Sequence, residues 1–182
     1  EISCSLVGSE MCIRDSTKEV LDNPDFNEAA KFVCSPALRD REDCEALWQA
    51  LSDGLLTAVS SDHCGIDVAE LKQAGRNDFT QIPNGSPGAG DRLHMVWTEG
   101  VCTGKLTRQK FVDVIATQPA KINGIYPRKG TLAVGSDADV VIFDPNYEGT
   151  VHLADNPNGV DYNLYEGRRC LLYTSPSPRD CS

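Results

Sequence analysis

The spacing of apolar positions changes several times along the chain, and each change marks an expected element. Lys31-Phe-Val-Cys34 is a short apolar run stopped by Ser35-Pro36, which predicts a buried strand ending in a loop. From Arg39 to Asp53 the residues Cys44, Leu47, Trp48 and Leu51 recur at helical spacing, and Gly54 closes the run. Leu55 to Ser60 predicts a second buried strand. Strand, helix and strand with short joints form a βαβ unit, the repeat of a parallel sheet.

Residues 65–90 are rich in Gly, Asn and Pro, and a connection of that length predicts a lid or substrate loop. Two helices follow: Asp91 to Val101, with Leu93, Val96 and Trp97 inward, and Thr107 to Thr117, with Phe111, Val112 and Ile115 inward. Pro119 can open a further short helix ending near Gly124. From Lys129 the texture turns to β. Thr131 to Val134 and Ala138 to Phe143 read as strands around Gly135-Ser136, and Thr150 to Leu153 as a third. The domain boundary is expected at Pro127 to Gly130.

The two ends change the picture. Leu6 to Ser16 back-translates to a DNA whose reverse complement encodes Cys-Leu-Leu-Tyr-Thr-Ser-Pro-Ser-Pro-Arg, the residues Cys170 to Arg179. A signal peptide or a disordered tail does not account for that complementarity. Residues 1–16 and 170–182 are therefore expected to be translated sequencing adapter, and residues 17–169 to be native. The chain is acidic, with a net charge of −10. Four acids (Glu1, Glu10, Asp15, Asp180) and two arginines (Arg14, Arg179) put −2 in the ends, leaving −8 in between. That charge argues against a nucleic-acid or anionic-membrane partner and is compatible with a small neutral substrate. Cys34, Cys44, Cys64 and Cys102 are too widely spaced for a CxxC site, which favours free thiols and a cytoplasmic location. No apolar run is long enough to span a membrane as a helix.

The main candidate for chemistry is Asp62, where the apolar run Leu56-Thr-Ala-Val-Ser-Ser61 ends in Asp-His-Cys64. A carboxylate at the carboxyl end of a buried strand is where a barrel enzyme keeps a metal ligand or general base. The competing reading is a capping aspartate. His63 reads as a partner of the backbone, with a role in orienting Asp62 as the alternative. His94 and His152 read as structural, because three histidines without ligand spacing build no metal centre. The loop Pro83-Asn-Gly-Ser-Pro-Gly-Ala-Gly90 lacks the ending of a phosphate loop; it reads as a connector or as a backbone surface for a flat ring. Asp137 and Asp139 read as a turn rather than a calcium site.

Taken in order, Lys31 to Arg39, Leu56 to Cys64 and Ile82-Pro-Asn-Gly-Ser-Pro-Gly88 resemble the last part of the dihydropyrimidinase and D-hydantoinase family. Gly75-Arg-Asn-Asp-Phe-Thr80, Pro127-Arg-Lys-Gly130, Val134-Gly-Ser-Asp-Ala-Asp139 and Asp161-Tyr-Asn163 extend the resemblance over nearly all of 17–169. The implied fold is α/β: the last two β/α units of a metal-dependent (β/α)8 barrel over residues 17–127, and the start of a small β-sandwich domain over 128–169. A whole barrel usually takes about 250 residues, so 182 residues imply a fragment with unpaired strand edges.

The resemblance implies that Asp62 ligates one metal of a binuclear zinc centre and shuttles a proton, and that Ser35 and Asn84 hydrogen-bond a cyclic imide through their main chains. The implied reaction opens 5,6-dihydrouracil, dihydrothymine or a hydantoin to an N-carbamoyl amino acid, as in pyrimidine catabolism. The implied parent is a homotetramer, and the fragment, lacking the other metal ligands, is expected to be inactive. A non-enzymatic relative of the collapsin-response type, an allantoinase and a dihydroorotase are the alternatives. Ser61-Asp62-His63 and Pro83-Asn84-Gly85 favour the enzyme, and the stretch from Ile82 to Gly88 weighs against the other two hydrolases.

Overall fold

The computed structural model describes residues 17–155, 158–171 and 173–174. Segment 1–16 and residues 172 and 175–182 of the expected adapter sequence lie outside the described residues. The best-formed element is the helix Arg41–Asp53, entered from the extended Asp40 and ended by Gly54 in the left-handed conformation (φ 83°). A Cβ is strained there, which is why the chain stops at a glycine. Cys44, Trp48 and Leu51 are its buried residues, as the spacing predicts, with Leu47 half-buried.

A second helix runs through Arg92–Val96 and widens into a π segment, Trp97–Val101. A third starts at Thr107, whose hydroxyl accepts the Lys110 N–H at 3.1 Å, and runs as Arg108–Val112, the π segment Asp113–Thr117 and Gln118–Ile122. The expected break before Pro119 is thus bridged. Gln118 N–H reaches back five residues to Asp113 O, and proline, lacking an N–H, leaves no donor unmet in the turn that follows. Val112 is exposed rather than inward, and Val114 takes the buried place because the wider π turn rotates the face.

These helices enclose one main core, with Trp48, Leu51, Val59, Trp97, Phe111 and Val114 among its members. Trp97 and Phe111 meet edge to face with ring centroids 5.2 Å apart, a geometry contributing about 1 kcal/mol beyond burial. Tyr162, Leu164 and Tyr165 close the core from the far end of the chain.

The strands differ most from expectation. Residues 31 and 32 form a turn, with Phe32 N–H on Ala29 O and Val33 N–H on Ala30 O, and 33–34 have no regular structure. The short helix Phe26–Ala30, capped by Asp25, runs on into them, and no ladder partner pulls them straight. Residues 57–60 form neither helix nor ladder; Val59 N–H bonds Val114 O of the third helix instead. A parallel strand is defined by its neighbours, and none flanks either segment among the described residues. The expected βαβ pairing is therefore not formed.

Strands do form late in the chain, in two short antiparallel pairs. β1 (Phe143–Asp144) pairs with β4 (Tyr173–Thr174), and β2 (Gly149–Thr150) pairs with β3 (Arg169–Cys170). Only the last residue of the expected strand 138–143 joins a ladder, and 131–134 forms none, since both leave apolar side chains in solvent. Of the expected strand 150–153, Thr150 pairs and Leu153–Asp155 turns into a 3₁₀ helix. Residues 65–90 are less irregular than their composition suggests, holding 3₁₀ turns at Lys72–Gly75 and Phe79–Gln81.

Candidate active site

Asp62, Ser35 and Asn84 lie on three separate segments, and all three are exposed. Backbone hydrogen bonds join those segments through the loop 83–88. Gly85 N–H donates to Val33 O at 3.1 Å, next to the Ser35 turn. Cys64 N–H donates to Ser86 O at 3.1 Å, two residues past Asp62. Gly85 must be glycine: a Cβ there would lie 2.8 Å from Cys64 Sγ and 3.0 Å from Cys64 O. The loop that presents Asn84 is thereby pressed against the segment that presents Asp62.

Asp62 has φ 38°, the one non-glycine residue with positive φ among the described residues. That conformation costs a residue with a Cβ roughly 1–2 kcal/mol, and such strain is held where surrounding contacts over-determine it. Here the contact is its neighbour. His63 Nδ1 accepts the N–H of Gly88 at 3.2 Å and of Ala89 at 3.4 Å, which places the ring proton on Nε2. His63 therefore serves the backbone, as expected, and locks the 62–63 corner onto the 88–89 turn.

The residue that sequence reasoning missed is Lys72. Its ammonium is fully buried and donates to Ala30 O at 2.7 Å, Val33 O at 3.1 Å and Gly85 O at 2.8 Å. Burial lowers its pKa to about 8, against the opposing influence of Cys34 and Cys64, so it remains mainly charged at neutral pH. No pattern in Glu70-Leu-Lys-Gln-Ala74 signals this, because a lone lysine in a polar connection reads as solvated. Ser86, also buried, adds a bond from Oγ to Lys31 O at 3.2 Å. Asp161 anchors the same loop from the other side, its two oxygens accepting the N–H of Val68 at 2.9 Å and of Ala69 at 2.7 Å. The signal for Asp161 was present, since Asp161-Tyr-Asn163 is one of the stretches that carry the resemblance.

Asn84 lines an open groove with Phe32, Cys34, Leu38 and Phe79; Ser35 and Asp62 are not in its wall. Nor does any group of three or more His, Cys, Asp or Glu able to hold a metal ion occur among the described residues. His94 lies half-buried on its helix, its pKa lowered by that burial, and exposed His152 bonds Glu166 at 3.0 Å. Asp137 and Asp139 both pair with Lys129, which ties their turn together. No helix among the described residues is long and apolar enough to cross a membrane.

The chain is similar to several characterised proteins. The D-hydantoinase of Rhizobium radiobacter is 48% identical over 153 residues, covering 84% of this chain and 33% of that protein. The D-hydantoinase of Geobacillus stearothermophilus is 46% identical over 149 residues, covering 82% and 31%. The chain thus spans about a third of the length of the curated relatives it matches. Among solved structures, D-hydantoinase from Bacillus sp. AR9 superposes with a TM-score of 0.82 at 47% identity, over 86% of this chain and 34% of that one. Dihydropyrimidinase from Brevibacillus agri gives 0.81 at 46%, over 84% and 33%. The backbone therefore follows part of an α/β amidohydrolase fold even where its strands lack ladder partners. With the Amidohydrolase family profile matching residues 9–168, the chain belongs to the amidohydrolase family.

Proposed function

We propose that this chain is part of a zinc-dependent cyclic amidohydrolase that opens dihydropyrimidines or hydantoins to N-carbamoyl amino acids. The observation that carries the reading is near-half identity to D-hydantoinases and a dihydropyrimidinase across more than four-fifths of the chain. In this reading residues 17–127 are the last two β/α units of a (β/α)8 barrel, 128–169 begin a flanking β-sandwich, and 1–16 and 170–182 are adapter sequence. The described part of 170–182 nevertheless packs on the chain, with Cys170 buried in the core. The whole protein is a cytoplasmic homotetramer acting on a small ureide or imide, with no nucleic-acid or membrane partner.

The reaction adds water to a ring carbonyl and breaks the carbon–nitrogen bond of the cyclic amide. Bound zinc supplies a water of lowered pKa. The described residues do not fit a binuclear centre by themselves, so the remaining ligands belong to the two-thirds of the relatives that this chain does not span. What this chain contributes is Asp62, Ser35 and Asn84. Asp62 is exposed on a corner fixed by His63, where its carboxylate can ligate one metal, take the proton of the attacking water and return it to the leaving nitrogen. Ser35 and Asn84, on segments bonded to each other through Val33 and Gly85, hold the ring by their main chains.

The test begins with the source DNA, read across both junctions. The expected frame carries a His-x-His pair, a strand lysine and two further histidines upstream of Thr17. The protein expressed from it should hydrolyse dihydrouracil or a hydantoin, and Asp62→Asn should lower kcat by about 10³-fold. The 182-residue chain alone should bind no zinc pair and turn over neither ring. A frame without those ligands, or turnover by the isolated chain, overturns the reading.

A further inference from the structure

Lys72 has as many donors as it has partners. An ammonium carries three N–H groups, and Ala30 O, Val33 O and Gly85 O take all three at 2.7, 3.1 and 2.8 Å. The ring of Tyr162 lies 5.9 Å away on another side, which further favours the cation. These acceptors belong to two segments with different destinations. Val33 lies two residues and Ala30 five residues before Ser35, and Gly85 directly follows Asn84. Gly85 N–H to Val33 O and Ser86 Oγ to Lys31 O also cross this seam, but each makes one bond between two points. Lys72 reaches over from a third segment, and its own turn is held by the bonds of Asp161 to Val68 and Ala69 N–H.

We propose that Lys72 is a positioning residue for substrate: its ammonium sets the separation and tilt of the Ser35 and Asn84 main chains between which the ring is held. This rests on the reading of Ser35 and Asn84 as ring-binding residues. The ammonium makes no contact with the ring. It acts because the Asn84–Gly85 peptide adjoins one of its acceptors and Ser35 lies two residues past another, Val33, so a shift of the seam changes how well the ring is gripped. Ala30 O and Val33 O also accept the N–H of Val33 and of Gly85, so an apolar replacement removes one of two donors from each of them and the ammonium bond from Gly85 O.

The experiment compares variants of the full-length protein. Lys72→Met should raise KM for the ring substrate by about tenfold or more while kcat stays within about threefold, the signature of lost binding rather than lost chemistry. Lys72→Arg, which keeps charge and donors, should recover part of that loss. Leu51→Ala, buried in the Arg41–Asp53 helix away from the seam, should destabilise the protein without moving KM. Equal KM changes in Lys72→Met and Leu51→Ala, or no change in either, would overturn the proposal.

Should Lys72→Met fail to fold, the unsubstituted 182-residue chain still gives a decision. Its Lys72 ammonium protons should exchange slowly in nitrogen-detected NMR and couple to the carbonyl carbons of Ala30, Val33 and Gly85. Fast exchange like that of a solvated lysine sinks the clamp. Absence of ring opening in the unsubstituted full-length protein sinks the functional reading and this one with it. A missing KM effect in an active enzyme sinks this one alone.

Discussion

Two apolar stretches, 31–34 and 131–142, read alike in the sequence and lead to opposite outcomes. The first was expected to be one strand and the second two strands, 131–134 and 138–143, around a turn; no residue of 31–34 or 131–142 joins a ladder among the described residues. In the first, the backbone carbonyls are met from elsewhere: Val33 O by Gly85 N–H and Lys72, Lys31 O by Ser86. With its polar groups satisfied the stretch can be covered, and Cys34 is buried while Phe32 and Val33 are half-buried. In the second, the bonds gather at the turn. Asp137 N–H reaches Arg128 O, Ser136 Oγ reaches Pro127 O, and Lys129 pairs with Asp137 and Asp139. Beyond the turn Leu132 is 80% exposed and Ile142 72%. An apolar run states what would be favourable to bury; burial follows only where the same chain supplies partners for the backbone.

The comparison is sharpened most by the core against which the first region packs. Phe111, fully buried and edge-on to Trp97, should cost about 3–5 kcal/mol on replacement by alanine. Urea unfolding followed by tryptophan fluorescence measures it, since both tryptophans are core residues. A loss below about 1 kcal/mol, the range of a surface change, would mean that the helices do not close a packed core in solution.

That core was largely legible. Cys44, Trp48 and Leu51 recur at helical spacing and are buried together, and Phe111 was placed inward correctly. Helix interiors are local, so their pattern survives whatever lies beside them. The strands were not legible as paired elements because pairing is a property of two segments. The site was legible in part. Asp62, Ser35 and Asn84 were named from the stretches that carry them, yet the residue that joins two of those stretches was not. Lys72 is recognisable only once three carbonyls are seen to converge, a fact of long-range geometry that no local window contains.

A smaller effect separates the site corner from the rest of the first region. Asp62 holds a left-handed backbone, and glycine adopts that conformation without the Cβ clash. Asp62→Gly removes roughly 1–2 kcal/mol of clash and adds roughly 0.5–1 kcal/mol of chain entropy on unfolding. The net expectation is a gain of about 0.5 kcal/mol in unfolding free energy, together with loss of ring opening in the full-length protein. A destabilised Asp62→Gly would instead show that the carboxylate makes a stabilising contact, which is the capping reading of this residue.

The smallest effect tests the second region directly. Val134, whose side chain is fully solvent-exposed, should tolerate serine with a change within about 0.5 kcal/mol. Serine and valine differ chiefly in the apolar area they remove from water on folding, and an exposed side chain removes none. The same substitution at a buried valine forfeits roughly 1.5 kcal/mol or more of transfer free energy. Val114→Ser is the matched control, because Val114 is fully buried and its carbonyl accepts the N–H of Val59. If Val134→Ser and Val114→Ser destabilise equally, the 131–142 stretch is covered in solution, and the contrast between the two regions collapses. If only Val114→Ser does so, Val134 is exposed in solution as well, and the contrast between 31–34 and 131–142 stands.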